Sequence, residues 1–260
     1  MLSGQLSGRA CAVFGFASTR SIAWGIASAW SNAGAQITIG IQSERFRPAL
    51  IKAVNTWSTP PHIVVCDASD DASIEAAVAE VGVVHGGRLS AIAHSLAWAP
   101  ATAMRSPLLD TNRADFLAAH AVSSYSLIAF ARASAPLLAA QPGGGSIITL
   151  SYLGATRAVE NYRVMGLAKA SLEAAARGLA VELGSKNIRV NVISAGPVDT
   201  LAARGIANFN EMREAVAKRA PLQRDVSIEE VGAVATFLAS NAASGITGQT
   251  IYVDAGTVNL

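Results

Sequence analysis

The chain of 260 residues predicts an α/β fold: one doubly wound parallel sheet with helices on both faces, in a single domain spanning residues 1–260. Two observations carry that expectation. Seven short β-rich runs, ACAVFG, QITIGI, HIVVC, LSAIAH, SIITL, IRVNVIS and QTIYV, recur between longer alanine-rich stretches of helical character. Strands covered on both faces read as near-continuous apolar runs of this kind. No Pro/Gly/Ser-rich linker and no internal repeat interrupts the series, and the length suffices for one large core.

Composition narrows the function classes. Hydrophobic residues make up 51% and charged residues 15%, too apolar for a disordered chain and suggestive of large interfaces shared between copies. Lys and Arg exceed Asp and Glu by only +2 and are scattered, so no tract follows a phosphate backbone and nucleic acid is not an expected partner. No run approaches the roughly 18 uninterrupted apolar residues of a membrane span. The opening MLSGQLSGRA has neither a charged nor an apolar leader region. The expectation is a soluble protein of the cytoplasm, or of an organelle's stroma or matrix where a transit segment has been removed. Cys11 and Cys66 sit in strand-like runs without CxxC spacing and read as core residues. His62, His85, His94 and His120 fall at no metal-ligand spacing, so no metal site is expected.

In a doubly wound sheet the ligand sits beyond the carboxyl ends of the strands, where strand order reverses, so the loops after the strands carry the function. After the first run, Gly15 to Gly25 forms a small-residue turn entering a helix whose free N–H groups suit a pyrophosphate. It is not GxGxxG, and a plain tight turn is the alternative. The second run ends at Gln42, which can bond ribose hydroxyls but does not attract a 2′-phosphate. That favours NADH over NADPH, with Arg45 and Arg47 near enough to leave NADPH open. The third run delivers Asp67-Ala68, which suits an adenine amine or else belongs to the first turn of the next helix. The fourth ends at His94, read as a satisfied strand-end histidine. Near the carboxyl end of the chain, Ser227-Ile-Glu-Glu230 is a capping box that punctuates a helix.

The fifth run, SIITL, leads into Ser151–Glu173. Val164, Ala168, Leu172, Ala175, Ala176 and Leu179 mark an apolar stripe at helical spacing, so a helix is expected from about Asn161. Tyr162, Gly166 and Lys169 then share one face, because seven residues nearly complete two turns. A cation near a phenol favours its charged form and sharpens it as a hydrogen-bond donor, so this pair can stabilise an oxyanion. Tyr152 either joins the pair or closes the core as a loop aromatic.

These residues resemble the NADH-dependent enoyl-acyl-carrier-protein reductases of the short-chain dehydrogenase/reductase superfamily, whose domain is Rossmann-like. The likeness runs through Gly15, Arg20 to Gly25, Asp67, His94-Ser95 to Pro100, Ser123 to Ser126, Ser151 to Gly154, Asn161-Tyr162, Val164 to Ser171, Arg189 to Asn191, Ile193 to Pro197, Thr200 to Ala203 and Gly245 to Gly248. The Tyr-x6-Lys spacing is the specific element, since most alcohol dehydrogenases of the superfamily carry Tyr-x3-Lys. The resemblance implies NADH held by Gly15, Ser21, Ile22, Gln42, Asp67, Ala68, Leu96, Lys169, Val198, Asp199, Thr200, Leu201 and Ala202. It implies a catalytic set of Tyr152, Tyr162 and Lys169, with Ala99 against the acyl substrate and a substrate loop near 197–220. It further implies an acyl carrier protein bearing an enoyl thioester as partner, a homotetramer, and a role in fatty-acid synthesis. An acidic carrier would meet a rim drawn from Arg204, Arg213, Lys218 and Arg219, opposed by Asp199, Glu211 and Glu214. Glu160, Arg163, Asp199 and Ala255 depart from the family's usual proline, asparagine, basic residue and glycine.

Two other readings stay open. A ketone or alcohol reductase of the same fold would use an upstream hydroxyl, for which Thr149 and Ser151 are present. An inactive dinucleotide-binding sensor or scaffold would lack a catalytic group.

Overall fold

A computed structural model describes residues 4–200 and 208–260. All seven expected runs are strands: β1 (Ala10–Phe16), β2 (Gln36–Ile41), β3 (His62–Val65), β4 (Ala91–His94), β5 (Gly145–Ser151), β6 (Ile188–Ala195) and β7 (Thr250–Val253). They form one sheet in the order β3-β2-β1-β4-β5-β6-β7, and every neighbouring pair is parallel. The chain builds outward from β1 to β3, returns to the other side of β1 for β4, and continues to β7. The order therefore reverses between β1 and β4.

Both faces of the sheet are covered, which explains the unbroken apolar character of the strands. On one face Phe14, Ile92, Ile147 and Val190 meet Ile74 and Val78 of α3 (Asp71–Val84), Leu127, Phe130 and Leu138 of α6 (Ser126–Ala139), and Leu172 of α7 (Arg163–Leu183). On the other, Cys11, Val13, Ile39, Ile148 and Ile193 meet Ile26 and Trp30 of α1 (Ile22–Asn32) and Val231, Ala235 and Leu238 of α9 (Ile228–Ala239). Successive residues of β1 thus serve opposite cores, as the two-residue period of a strand requires. Each large aliphatic or aromatic side chain so buried contributes about 1.5–3 kcal/mol. Cys11 and Cys66 are free and buried, and burial pushes both thiols up to about 12, as suits packing residues.

Local signals agree with these elements. Ser227 Oγ accepts from the Glu230 N–H at 3.3 Å, and Glu230 Oε2 accepts from the Ser227 N–H at 2.9 Å, closing the capping box that starts α9. The helical stretch Arg113–Ala139, through α5 (Arg113–His120) and α6, is long and apolar enough to cross a membrane, a feature that a search for uninterrupted apolar runs passes over. Its Leu127, Phe130 and Leu138 are fully buried against the sheet, which accounts for the composition.

Ala255 stands where the family it resembles has glycine, and its φ is +57°. The turn is held by Asp254, whose Oδ1 accepts from the Gly256 N–H at 2.9 Å and whose Oδ2 accepts from the Val258 N–H at 2.7 Å. A left-handed non-glycine residue costs about 1–2 kcal/mol, partly offset by the greater unfolded-state freedom of glycine. Ala255→Gly is therefore expected to raise stability by about 0.5–1 kcal/mol in urea unfolding; a loss of stability would show that the methyl's packing outweighs the strain.

Candidate active site

A cleft of about 880 Å³ opens at the carboxyl edge of the sheet, across the β1/β4 reversal. Its base is set by Gly15. This residue has a φ of +110°, and a Cβ there would lie 2.1 Å from the Ser95 carbonyl oxygen, so only glycine lets the ends of β1 and β4 approach so closely. Beyond Gly15, Ser21 caps α1: its Oγ accepts from the Trp24 N–H at 3.3 Å and donates to the Ser18 carbonyl at 2.7 Å. Ser21 and Ile22 line the cleft, so the first turn of α1 opens into it.

Gln42 and Phe46 line the same end, after β2. Arg45 stacks over the Phe46 ring at 4.5 Å, and Arg47 donates to Glu44 from Nε and Nη2, at 2.5 and 2.8 Å. Asp67 also lines the cleft, with Oδ1 accepting from the N–H and hydroxyl of Ser69 at 2.9 and 2.7 Å. The helix that follows is capped by Asp70, so capping is not the work of Asp67. Gly15, a capped helix N-terminus, an exposed Gln42 and an acid at the β3 end make a cradle whose donors and acceptors fit a dinucleotide.

At the other end, α7 begins at Arg163, two residues later than expected, with Tyr162 as its N-cap. Tyr162 is buried and its ring meets that of Tyr152 edge-on, with centroids 4.9 Å apart. Both rings pack with Met165, Ala168, Ala99 and Met104. Lys169, 4% exposed, donates from Nζ to the Leu150 carbonyl at 2.7 Å and the Leu96 carbonyl at 3.2 Å. Burial pulls this ammonium down to about 8, against the opposing pull of the Glu173 carboxylate. The expectation that a cation would favour the charged phenol does not hold: burial first, then Tyr152 and Glu173, push the Tyr162 hydroxyl up, so it stays protonated. Burial also raises Tyr152.

The hydroxyls that an alcohol reductase would need are engaged elsewhere. Ser151 donates to Glu173 Oε1 at 2.5 Å. Thr149 meets Nδ1 of His94 at 2.9 Å. The Nε2 of His94 meets Ser126 Oγ at 2.7 Å, and Ser126 donates its own proton to the Val122 carbonyl. Burial, then Lys169, holds His94 down at about 3, so it is neutral and structural.

With this geometry in hand, residues 15–258 match the family model described as "Enoyl-(Acyl carrier protein) reductase". The chain belongs to that family. It is 45% identical over 257 residues to the enoyl-[acyl-carrier-protein] reductase [NADH] of Bacillus subtilis, covering 97% of this chain and 96% of the relative. It is 40% identical over 253 residues to the enoyl-[acyl-carrier-protein] reductase [NADPH] of Staphylococcus aureus, covering 97% of each. Among solved structures, the Bacillus cereus enzyme with NADP+ and indole naphthyridinone superposes with a TM-score of 0.94 at 40% identity, covering 98% of each chain. The Aquifex aeolicus NADH enzyme does so at 0.93 and 37% identity, covering 99% of each.

The cleft of this enoyl reductase gathers Gly15, Ser21, Ile22, Gln42, Asp67, Ala68, Leu96, Ala99, Tyr152, Tyr162, Lys169, Val198 and Thr200. Asp199 does not line it and pairs with Arg213 at 3.8 Å; Leu201, Ala202 and Arg204 lie outside the described residues. Arg213, expected on a docking rim, also reaches Asp225 at 3.4 Å, and its charge is spent within the fold. Sequence reasoning missed Phe46, Met104 and Phe209 as lining residues, and Glu173 as the partner of Ser151. No local spacing marks any of them.

Gly154 keeps the Tyr162 ring in place: a Cβ there would lie 2.2 Å from its Cδ1. Gly154→Ala is expected to lose about 1–3 kcal/mol of stability through this overpacking, measured by urea unfolding. Wild-type stability in the variant would show that the ring has room to shift.

Proposed function

We propose that this family member reduces the carbon–carbon double bond of trans-2-enoyl thioesters borne by acyl carrier protein, with NADH as the preferred donor. The observation that carries the reading is the juxtaposition of the neutral Tyr162 phenol, the Tyr152 ring and the Lys169 ammonium in one cleft, with Ser151 turned away to Glu173. Bound NADH would supply the hydride for the β-carbon, with the double bond's electrons passing to the thioester oxygen and a solvent proton then going to the α-carbon. Tyr162 donates its hydroxyl to that oxygen as the charge develops, a preorganised stabilisation of the kind that usually contributes most. Lys169 turns from the Leu96 and Leu150 carbonyls to the ribose hydroxyls. Gly15 and the first turn of α1 take the pyrophosphate, Asp67 and Ala68 the adenine. Val198 and Thr200 contribute backbone, and Ala99 borders the acyl chain beside Tyr152. Of the segment near 197–220 that we assign to the substrate side, Phe209–Arg219 is helix rather than loop, and residues 201–207 lie outside the described residues.

Pairing of Arg47 with Glu44 supports NADH over NADPH, since a 2′-phosphate would have to draw Arg47 from that carboxylate. Lys218 and Arg219, exposed in the last turn of α8 (Phe209–Arg219), are the cations we assign to a transient encounter with an acidic carrier. Exposed Ile128, Leu167 and Val181 support assembly into a homotetramer, and two free buried cysteines accord with a reducing cytoplasm.

The deciding experiment mixes purified protein and NADH with a crotonyl thioester, and separately with simple ketones, following NADH absorbance. Turnover on ketones alone would overturn the reading. Tyr162→Phe is expected to lower kcat about 10²–10³-fold with NADH affinity nearly unchanged; undiminished turnover would remove Tyr162 from the mechanism. In parallel kinetics, kcat/KM should be higher with NADH than with NADPH. A clear NADPH advantage would mean that Arg47 leaves Glu44 for the 2′-phosphate.

A further inference from the structure

Glu173 lies one turn beyond Lys169 on α7 and is 5% exposed. Its fixed partner is Ser151, itself buried, whose hydroxyl donates to Oε1 at 2.5 Å. Its neighbours at the end of β5 are engaged with the same region. Leu150 gives its carbonyl to Lys169, Ser151 gives its hydroxyl to Glu173, and Tyr152 sets its ring against Tyr162. The last two residues of β5 and the one just after it thus meet two positions of α7 and its N-cap.

A buried ammonium whose partners are only carbonyl dipoles pays several kcal/mol of desolvation, and a buried carboxylate alone fares no better. Residues four apart on a helix stand about 5–6 Å apart at Cβ, near enough for each charge to compensate the other. We propose that Glu173 is a positioning residue which, anchored by Ser151, keeps Lys169 an ammonium and Tyr162 a neutral phenol at the moment each must donate. The inference rests on the reading of Lys169 and Tyr162 given above. The electrostatics run the same way at both groups: Glu173 opposes the downward pull of burial on Lys169 and adds to the upward push of burial on Tyr162. The other titratable groups recorded acting on this set are Tyr152, after β5, and His94, at the end of β4; His94 is neutral and Tyr152 is raised by burial, so neither supplies a counter-charge.

The test is the pH dependence of NADH binding, by titration calorimetry without substrate, in wild type and in Glu173→Gln, Glu173→Asp, Ser151→Ala and Lys169→Ala. Lys169 binds as an ammonium, so wild-type affinity should fall as pH rises through about 8. Removing the Glu173 charge lowers the pH at which the ammonium loses its proton. In Glu173→Gln the limb should therefore move down by about one pH unit, in Ser151→Ala by less, and in Glu173→Asp, which keeps the charge, hardly at all. A purely structural role would disturb the Asp and Gln variants alike and leave the limb in place. A limb that vanishes in Lys169→Ala yet stays unmoved in Glu173→Gln overturns the inference alone. A limb that persists in Lys169→Ala overturns the ribose role of Lys169 and the inference with it. If Glu173→Gln does not fold, an unmoved limb in Ser151→Ala overturns the proposal in its place.

Discussion

The Lys169 ammonium ties together the elements on which the rest of the site depends. From α7 it donates to the carbonyl at the end of β5 and to the Leu96 carbonyl just past β4, so one cation joins a helix and two neighbouring strands at the rim where ligands bind. Burial makes those bonds strong and also makes the charge costly. Leu150 and Leu96 are the first partners the cation would exchange when polar ligand groups arrive. A group that is stabilised only by backbone dipoles and one carboxylate a helical turn away has much to gain from new acceptors, which is how a structural anchor doubles as a binding group.

The phenol beside it follows the opposite logic. With the lysine turned toward carbonyls, burial first, and then Tyr152 and Glu173, decide the state of Tyr162 and keep its proton. A neutral phenol in a low-dielectric pocket is a better oxyanion donor than a half-ionised one, because a tyrosinate has no proton to give. The desolvation that removes the expected cation effect therefore leaves the chemistry intact and changes its cause.

Much of this was legible in the sequence because it depends on short-range pattern. Seven apolar runs became seven strands, and the Ser227–Glu230 box closes as written. His94 is read correctly as structural because a histidine at a buried strand end finds hydroxyls nearby, here Thr149 and Ser126. What stayed illegible depends on contacts between distant positions. Glu173 lies 22 residues from Ser151, and in the sequence it is one more acid on an alanine-rich helix. The pairing of Arg213 with Asp225 likewise engages a cation that the sequence offers to a docking rim. Residue type announces a charge; only packing announces what has already neutralised it.

The start of α7 shows why the helix boundary was missed and why the miss concerns function. Asn161 and Arg163, on either side of Tyr162, have φ values of +61° and +47°. Asparagine tolerates that region, whereas an arginine there costs about 1–2 kcal/mol. The conformation persists because the surroundings hold it: the Arg163 guanidinium donates to the Arg105 carbonyl at the end of α4 (Ala101–Arg105) and to Asn161 Oδ1. Met104 and Arg105 of α4 line the cleft, so the same contacts join the cleft wall to the residue on which the phenol turns. A regular helix beginning at Asn161 would point the Tyr162 ring along the helix face; two left-handed residues instead lay it over Gly154, where only a glycine leaves room. The strain and the missing Cβ are two halves of one device, and each would be without purpose if the other were absent.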